Sequence, residues 1–240
     1  MNTRLAPLIL VFGLASGAAQ AALFDRGGGL IYDDTLNLTW LQGANQSKTN
    51  GDDADGLMTW DAAIAWADQL VYAGYSDWRL PGVAPLNGVS FDYAGSNDGH
   101  TDGGWNITRP SSELAHMFYV SLGNQGARTS SGASSSCGAS NLCLTNTGPF
   151  INLTPGYGSW YGQEFWGYGY LGYAWAFDSG GYQSGYLKNS ISYAWAVHPG
   201  DIAAVVPEPE TYALLLAGLG LVGVVAKRRR RIFGASRSGA

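Results

Sequence analysis

Two short loops of this chain concentrate oxygen donors. Asn50-Gly51-Asp52-Asp53-Ala54-Asp55-Gly56 and Ser96-Asn97-Asp98-Gly99-His100-Thr101-Asp102-Gly103 each set several carboxylates on a glycine-punctuated segment, the donor type a hard cation takes. Asp52, Asp53, Asp55, Asp98 and Asp102 are therefore candidate calcium ligands, and solvated turn residues are the alternative reading of both loops. Neither loop follows the EF-hand spacing with a glutamate in its last position. Cys137 and Cys143, the only two cysteines, flank a Ser/Gly-rich stretch. A disulfide closing a small loop suits them in an oxidising compartment; metal binding is the alternative, and it lacks a nearby histidine.

Aromatic rings offer a second kind of chemistry. Beyond Gly148 the chain becomes short aromatic segments punctuated by glycine. Tyr157, Trp160, Tyr168 and Tyr170 are candidates for a platform that stacks on the apolar face of sugar rings, since an exposed contiguous aromatic patch marks an interaction surface. Packing as a second layer over a sheet is the other use such rings have. Catalytic signatures are missing: there is no HExxH, GxSxG, CxxC or P-loop, and His100, His116 and His198 are isolated in sequence. The expected role is non-catalytic. An enzyme acting on extracellular glycan or on protein is the alternative, and it needs a convergent acid pair that sequence spacing does not reveal.

The elements that must position these groups are short. Gly29 to Asp34 and Leu36 to Leu41 alternate apolar and polar positions, as a half-buried hairpin does. Thr59 is placed to cap a helix from Trp60 to about Tyr72, whose Trp60, Ala63, Ile64, Ala67, Leu70 and Val71 form one apolar stripe, with Gly74 at its C-terminal end. A second helix is expected over about Ser112 to Leu122, with Leu114, Met117, Phe118 and Leu122 on one face. Trp175, Phe177, Trp195 and Val197 alternate with alanine and read as inward-facing strand positions. The fold class expected is α+β, a single domain of two helices packed on short antiparallel strands, with the first and last strands pairing to close it.

Both ends of the chain read as targeting segments. Residues 1–21 have Arg4, an apolar run and Ala19-Gln20-Ala21 before Ala22, the pattern of a Sec-type signal peptide. Near the other end, Tyr212 to Ala226 is uncharged and apolar; as a helix it would span roughly 22 Å, short of the ~30 Å hydrocarbon core. Lys227, Arg228, Arg229, Arg230 and Arg231 follow it as a cationic stop, which places everything before Val206 outside the cytoplasm. The domain itself is then confined to 23–205, the anchoring segment to 206–231 and a tail to 232–240. Residues 23–205 hold six Lys/Arg against sixteen Asp/Glu, a formal charge of −10, although the whole chain stands at −5. An acidic domain without clustered cations excludes nucleic acid as a partner.

Pro207, Glu208 and Pro209, the hydrophobic segment and the basic cluster occur in that fixed order, and together they resemble the PEP-CTERM sorting signal of exported bacterial proteins. The resemblance implies that an exosortase, a membrane-embedded transpeptidase, recognises the Pro207–Pro209 motif and cuts near it. The protein would be held at the inner membrane before processing and would then pass to the cell surface or extracellular matrix. Such proteins accompany exopolysaccharide production and biofilm. Its partners would be the Sec machinery, the exosortase, the membrane and a polysaccharide.

A second resemblance runs through most of residues 24–201. Gly29-Leu30-Ile31-Tyr32-Asp33, Leu38-Thr39-Trp40, Thr59-Trp60-Asp61-Ala62-Ala63, Gly74-Tyr75-Ser76-Asp77-Trp78-Arg79-Leu80-Pro81, Glu164-Phe165-Trp166 and Tyr193 to Asp201 look like the Lcl-type C-terminal domain, a family of unknown function related to the C-type-lectin-like group. Gly82 to Arg109 and the Cys loop from Ser130 to Leu144 depart from its usual pattern. It implies a lectin-like domain that binds glycan, with calcium as the one cofactor in view. A purely structural matrix component is the remaining alternative.

Overall fold

The computed structural model describes residues 22–138, 142–167, 169 and 172–203. The signal peptide over 1–21, Tyr168, Tyr170, the Pro207–Pro209 motif, the Tyr212 to Ala226 segment, the cations Lys227 to Arg231 and the tail all lie outside these residues.

The expected hairpin forms. Strand β2 (Leu30–Asp33) pairs antiparallel with β3 (Leu38–Leu41), from Leu30 opposite Leu41 to Asp33 opposite Leu38. The turn is set by Asp33, whose Oδ1 accepts the amides of Thr35 and Leu36, both at 3.0 Å, a local Asx bond that competes with continued pairing. Strand β1 (Leu23–Asp25) adds to β2 on the outside. The closing strand β11 (Val197–Pro199) pairs with β3, with Val197 opposite Trp40. The last strand thus closes on the second arm of the hairpin, and the expected pairing of first and last strands does not occur.

Most of the remaining chain builds a second sheet, so the expected α+β class gives way to a predominantly β architecture. Its seven strands are β4 (Leu57–Met58), β5 (Gly95–Ser96), β6 (Gly103–Gly104), β7 (Ser159–Glu164), β8 (Tyr173–Phe177), β9 (Gln183–Leu187) and β10 (Ser192–Tyr193), in the order β4-β10-β7-β8-β9-β6-β5. Two pairings, β10 with β7 and β5 with β6, are parallel, so the strands are not uniformly antiparallel. Helices are brief. Helix α1 (Gln46–Asn50) was not expected, α2 (Trp60–Gln69) stops three residues early, and α3 (Glu113–His116) passes into a π-helical turn over Met117–Ser121. Early termination has a local cause: Leu70 is already extended at φ −67° and ψ 128°, and Tyr72 pairs with Tyr75 across a tight turn.

Alanines explain how α2 packs. Ala63 and Ala67 are fully buried against Trp160, Ala174, Ala176 and Ala194; these small side chains let helix and sheet approach closely. Val71, expected on the same stripe, is 71% exposed. Among the described residues no helix is long and apolar enough to cross a membrane, and the transmembrane helix expected over Tyr212 to Ala226 finds no support here.

Candidate functional site

Strand β8 ends at Phe177 and the chain turns through Asp178-Ser179-Gly180-Gly181. Asp178 holds that turn: its Oδ1 accepts the amides of Gly180 and Tyr182, both at 2.9 Å. Gly181 has a φ of +87°, and a Cβ there would stand 2.4 Å from the Tyr119 hydroxyl, so the position requires glycine. The Tyr119 hydroxyl donates to the Gly181 carbonyl at 2.7 Å.

Three further segments converge on this turn. The Cys137–Cys143 disulfide is formed, with the two Cα atoms 5.2 Å apart, and the Cys143 amide donates to the Ser179 carbonyl at 2.9 Å. The Gly156 amide donates to Ser179 Oγ at 3.2 Å. The amide of Tyr193 in β10 donates to the Gly158 carbonyl at 2.9 Å. Between them lies a cleft of about 370 Å³, lined by Asp178, Ser179, Tyr186 and Ser192 and rimmed by Leu142, Tyr157 and Ile191. The three rim side chains are close to half exposed, at 46%, 49% and 46%. Tyr157 packs against Tyr193 with ring planes near perpendicular and centroids 6.1 Å apart. A smaller, mostly apolar recess adjoins the cleft and shares Tyr157, Asp178 and Ser179 with it.

Burial pushes the Asp178 carboxyl above the ordinary carboxylate range, although its backbone donors and the Tyr186 hydroxyl hold it back. Burial also raises the Tyr186 hydroxyl, and the Asp178 charge adds to that. The pair supplies a hydrogen-bond acceptor and a phenol kept neutral at physiological pH. With a half-exposed ring beside them, they make a surface suited to a neutral, hydroxyl-rich ligand.

The other expected site residues fall elsewhere. Trp160 is fully buried and donates its indole N–H to the Met58 carbonyl at 2.9 Å; it is core, and no platform includes it. Of the expected aromatic set Tyr157 is at the surface, while Tyr168 and Tyr170 lie outside the described residues. The acidic clusters serve as turn caps. Asp53 accepts the amides of Asp55 and Gly56 at 3.0 and 2.6 Å, bonds that pull its carboxyl below the usual range, that from Gly56 foremost. Asp55 accepts the Leu57 amide at 3.0 Å, and Asp52 accepts the Trp66 indole N–H at 3.0 Å. Asp98 pairs with His100. Asp102 is 1% exposed and takes the Leu86 and Asp92 amides, both at 2.8 Å, and the Arg109 guanidinium at 2.6 Å. Among the described residues no three His, Cys, Asp or Glu side chains are grouped so as to hold a metal ion. Of the cleft residues the sequence pointed to Tyr157. Asp178 was missed, though Asp-Ser-Gly-Gly directly after an aromatic strand is a turn signal.

Residues 205–231 match the family model described as the PEP-CTERM protein-sorting motif. The chain carries a PEP-CTERM sorting signal. It is therefore an exosortase-processed protein exported to the cell surface by way of a membrane-anchored precursor. No curated protein and no solved structure matches the chain. The Lcl-type, C-type-lectin-like resemblance thus has no support, and the two-sheet architecture stands in its place.

Proposed function

We propose that residues 22–203 form a non-catalytic polysaccharide-binding domain, which the PEP-CTERM signal delivers to the cell surface or extracellular matrix to associate with exopolysaccharide. One observation carries this reading: the half-exposed Tyr157 ring stands over a cleft that also holds the Asp178 carboxylate and the Tyr186 hydroxyl. A ring face takes the apolar C–H face of a sugar, and the carboxylate accepts from its hydroxyls. The volume lies within the 300–1,000 Å³ range of small-molecule sites.

The cleft lining supports a binding role over hydrolysis. Asp178 is the one carboxylate among the described residues that line it, whereas two-carboxylate glycoside hydrolysis places a second some 5 to 9 Å away.

Co-sedimentation tests the reading. The purified domain is mixed with insoluble exopolysaccharide from the producing cells and spun. Saturable pelleting that Tyr157→Ala abolishes is expected. Pelleting that is absent, or that is unchanged in Tyr157→Ala, contradicts the proposal and leaves a structural role.

A further inference from the structure

Strand β1 is short and thinly packed, and its hold on the sheet comes from its two ends. It is an edge strand that pairs with β2, from Leu23 opposite Asp33 to Asp25 opposite Ile31. Leu23 is partly buried, whereas Phe24 and Asp25 are exposed. Just past its C-terminal end the Arg26 guanidinium donates to both Asp201 oxygens, each at 2.7 Å, and lies over the Phe24 and Tyr32 rings. Just before its N-terminal end Ala22 meets one residue twice: the Asp34 amide donates to the Ala22 carbonyl at 3.3 Å, and the Ala22 N–H donates to Asp34 Oδ1 at 3.0 Å. The neighbouring Asp33 carboxyl is engaged elsewhere, with the Thr35 and Leu36 amides on Oδ1 and the Ser121 hydroxyl on Oδ2. Asp34 is therefore the carboxylate that faces the Ala22 nitrogen.

Ala22 is also the residue that follows Ala19-Gln20-Ala21, the small-residue pattern at which a signal peptidase cuts. Hydrolysis of the Ala21–Ala22 peptide bond puts the water oxygen on the Ala21 carbonyl carbon and leaves the Ala22 nitrogen as an amine, which takes up a proton below its ordinary pKa of about 8. A nitrogen already within hydrogen-bond distance of a carboxylate thereby turns from a neutral donor into a cation, and a charge-assisted bond is roughly twice as strong as a neutral one. We propose that the leader is removed between Ala21 and Ala22 and that the released α-ammonium closes an ion pair with Asp34, fastening β1 to β2 once the chain has been exported. A start one residue later, at Leu23, forfeits both bonds to Asp34. Cleavage then tightens an edge strand, the part of a sheet at which chains mispair.

The test has two parts. N-terminal sequencing of the protein recovered from the producing cells is expected to read Ala22-Leu23-Phe24-Asp25, and any other first residue overturns the proposal. The domain of residues 22–203, which lies within a compact unit of its own, is then prepared in two forms. One begins at Ala22; the other keeps Gln20-Ala21 ahead of it, so that the Ala22 nitrogen stays an amide. Amide hydrogen exchange along β1, read by NMR, is expected to be about two- to fivefold slower in the Ala22 form, the scale of an exposed ion pair. The difference should shrink in about 1 M salt. Asp34→Asn keeps the hydrogen-bond acceptor and removes the charge, and it should bring the two forms to the same rate. A role for Asp34 in the turn alone would speed exchange equally in both forms and leave their difference intact. That result, or equal exchange in the two unmutated forms, overturns the ion pair.

Discussion

Arg79 and Glu113, thirty-four residues apart, meet in a two-pronged ion pair: Nη1 to Oε2 at 2.8 Å and Nη2 to Oε1 at 2.9 Å. Glu113 Oε2 also accepts the Gly82 amide at 2.5 Å, so the carboxylate fixes both ends of the segment that leaves Pro81 and returns at α3. Its side chain is 16% exposed against 40% for Arg79, and truncating the carboxylate leaves two donors, the Arg79 guanidinium and the Gly82 amide, without their acceptor. Glu113→Ala should cost about 2–3 kcal/mol, since bonds to charged groups contribute ~1.5–3 kcal/mol each and are not additive. Arg79→Ala should cost less. Urea denaturation checks this: the midpoint falls while the slope stays constant.

The rim and the core separate cleanly by mutation. Tyr157→Ala touches a half-exposed ring and should change stability by no more than about 0.5 kcal/mol, yet weaken polysaccharide binding at least tenfold, about 1.4 kcal/mol. Trp160→Ala should do the reverse, costing about 3–5 kcal/mol of stability as a large core truncation. Thermal melts beside binding isotherms distinguish the two.

The disulfide bears on both properties. Closing the loop between cysteines at a sequence separation of 6 removes unfolded-chain entropy equivalent to about 2 kcal/mol. Replacing Cys137 and Cys143 together by serine should lower stability by about that amount. Leu142 stands on the cleft rim beside Cys143, so ligand affinity should fall as well. Unchanged affinity in the folded double variant would show that the loop does not shape the cleft.

Legibility in the sequence followed the reach of each interaction. The Leu30–Leu41 hairpin could be read because its alternation and its Asp33 turn are local, and the start of α2 because Trp60, Ala63 and Ala67 recur at helical spacing. The second sheet could not. In β8, Ala174, Trp175, Ala176 and Phe177 are all buried, so both faces are covered and the alternation with alanine, read as one inward face, did not report a two-sided core. The parallel contact of Tyr193 with Ser159 joins distant segments and leaves no local trace. The quoted blocks do meet, with Trp40 and Trp195 rings 4.5 Å apart and Trp78 against His198 at 5.5 Å. Such contacts pack a core without specifying a lectin fold. Trp160 and Tyr157, three residues apart in one glycine-rich stretch, went to opposite sides of the surface because only tertiary pairing of β7 decides which ring is covered.

Asp178 also predicts a pH effect. Its carboxyl titrates above the ordinary range because burial disfavours the charge, so the folded state holds this proton more tightly than the unfolded one. The contribution to stability is fully present below the unfolded value near 4 and is lost as pH rises through the raised folded value. Asp178→Asn lacks this component. Wild-type stability should therefore decline relative to the variant as pH rises through that window, read from denaturation midpoints at several pH values. Carboxyls such as Asp53, held low by backbone donors, change in the opposite sense and cancel in the difference. A wild-type gain over the variant with rising pH would contradict the assigned environment.

Calorimetric titration of the 22–203 domain with the producing cells' own exopolysaccharide tests the central claim most directly, with Tyr157→Ala run alongside. A saturable wild-type isotherm that survives a chelator is expected, because no carboxylate cluster among the described residues is grouped to hold a metal, together with at least tenfold weaker binding by the variant. An isotherm without saturable heat, or one identical in the folded variant, would contradict it.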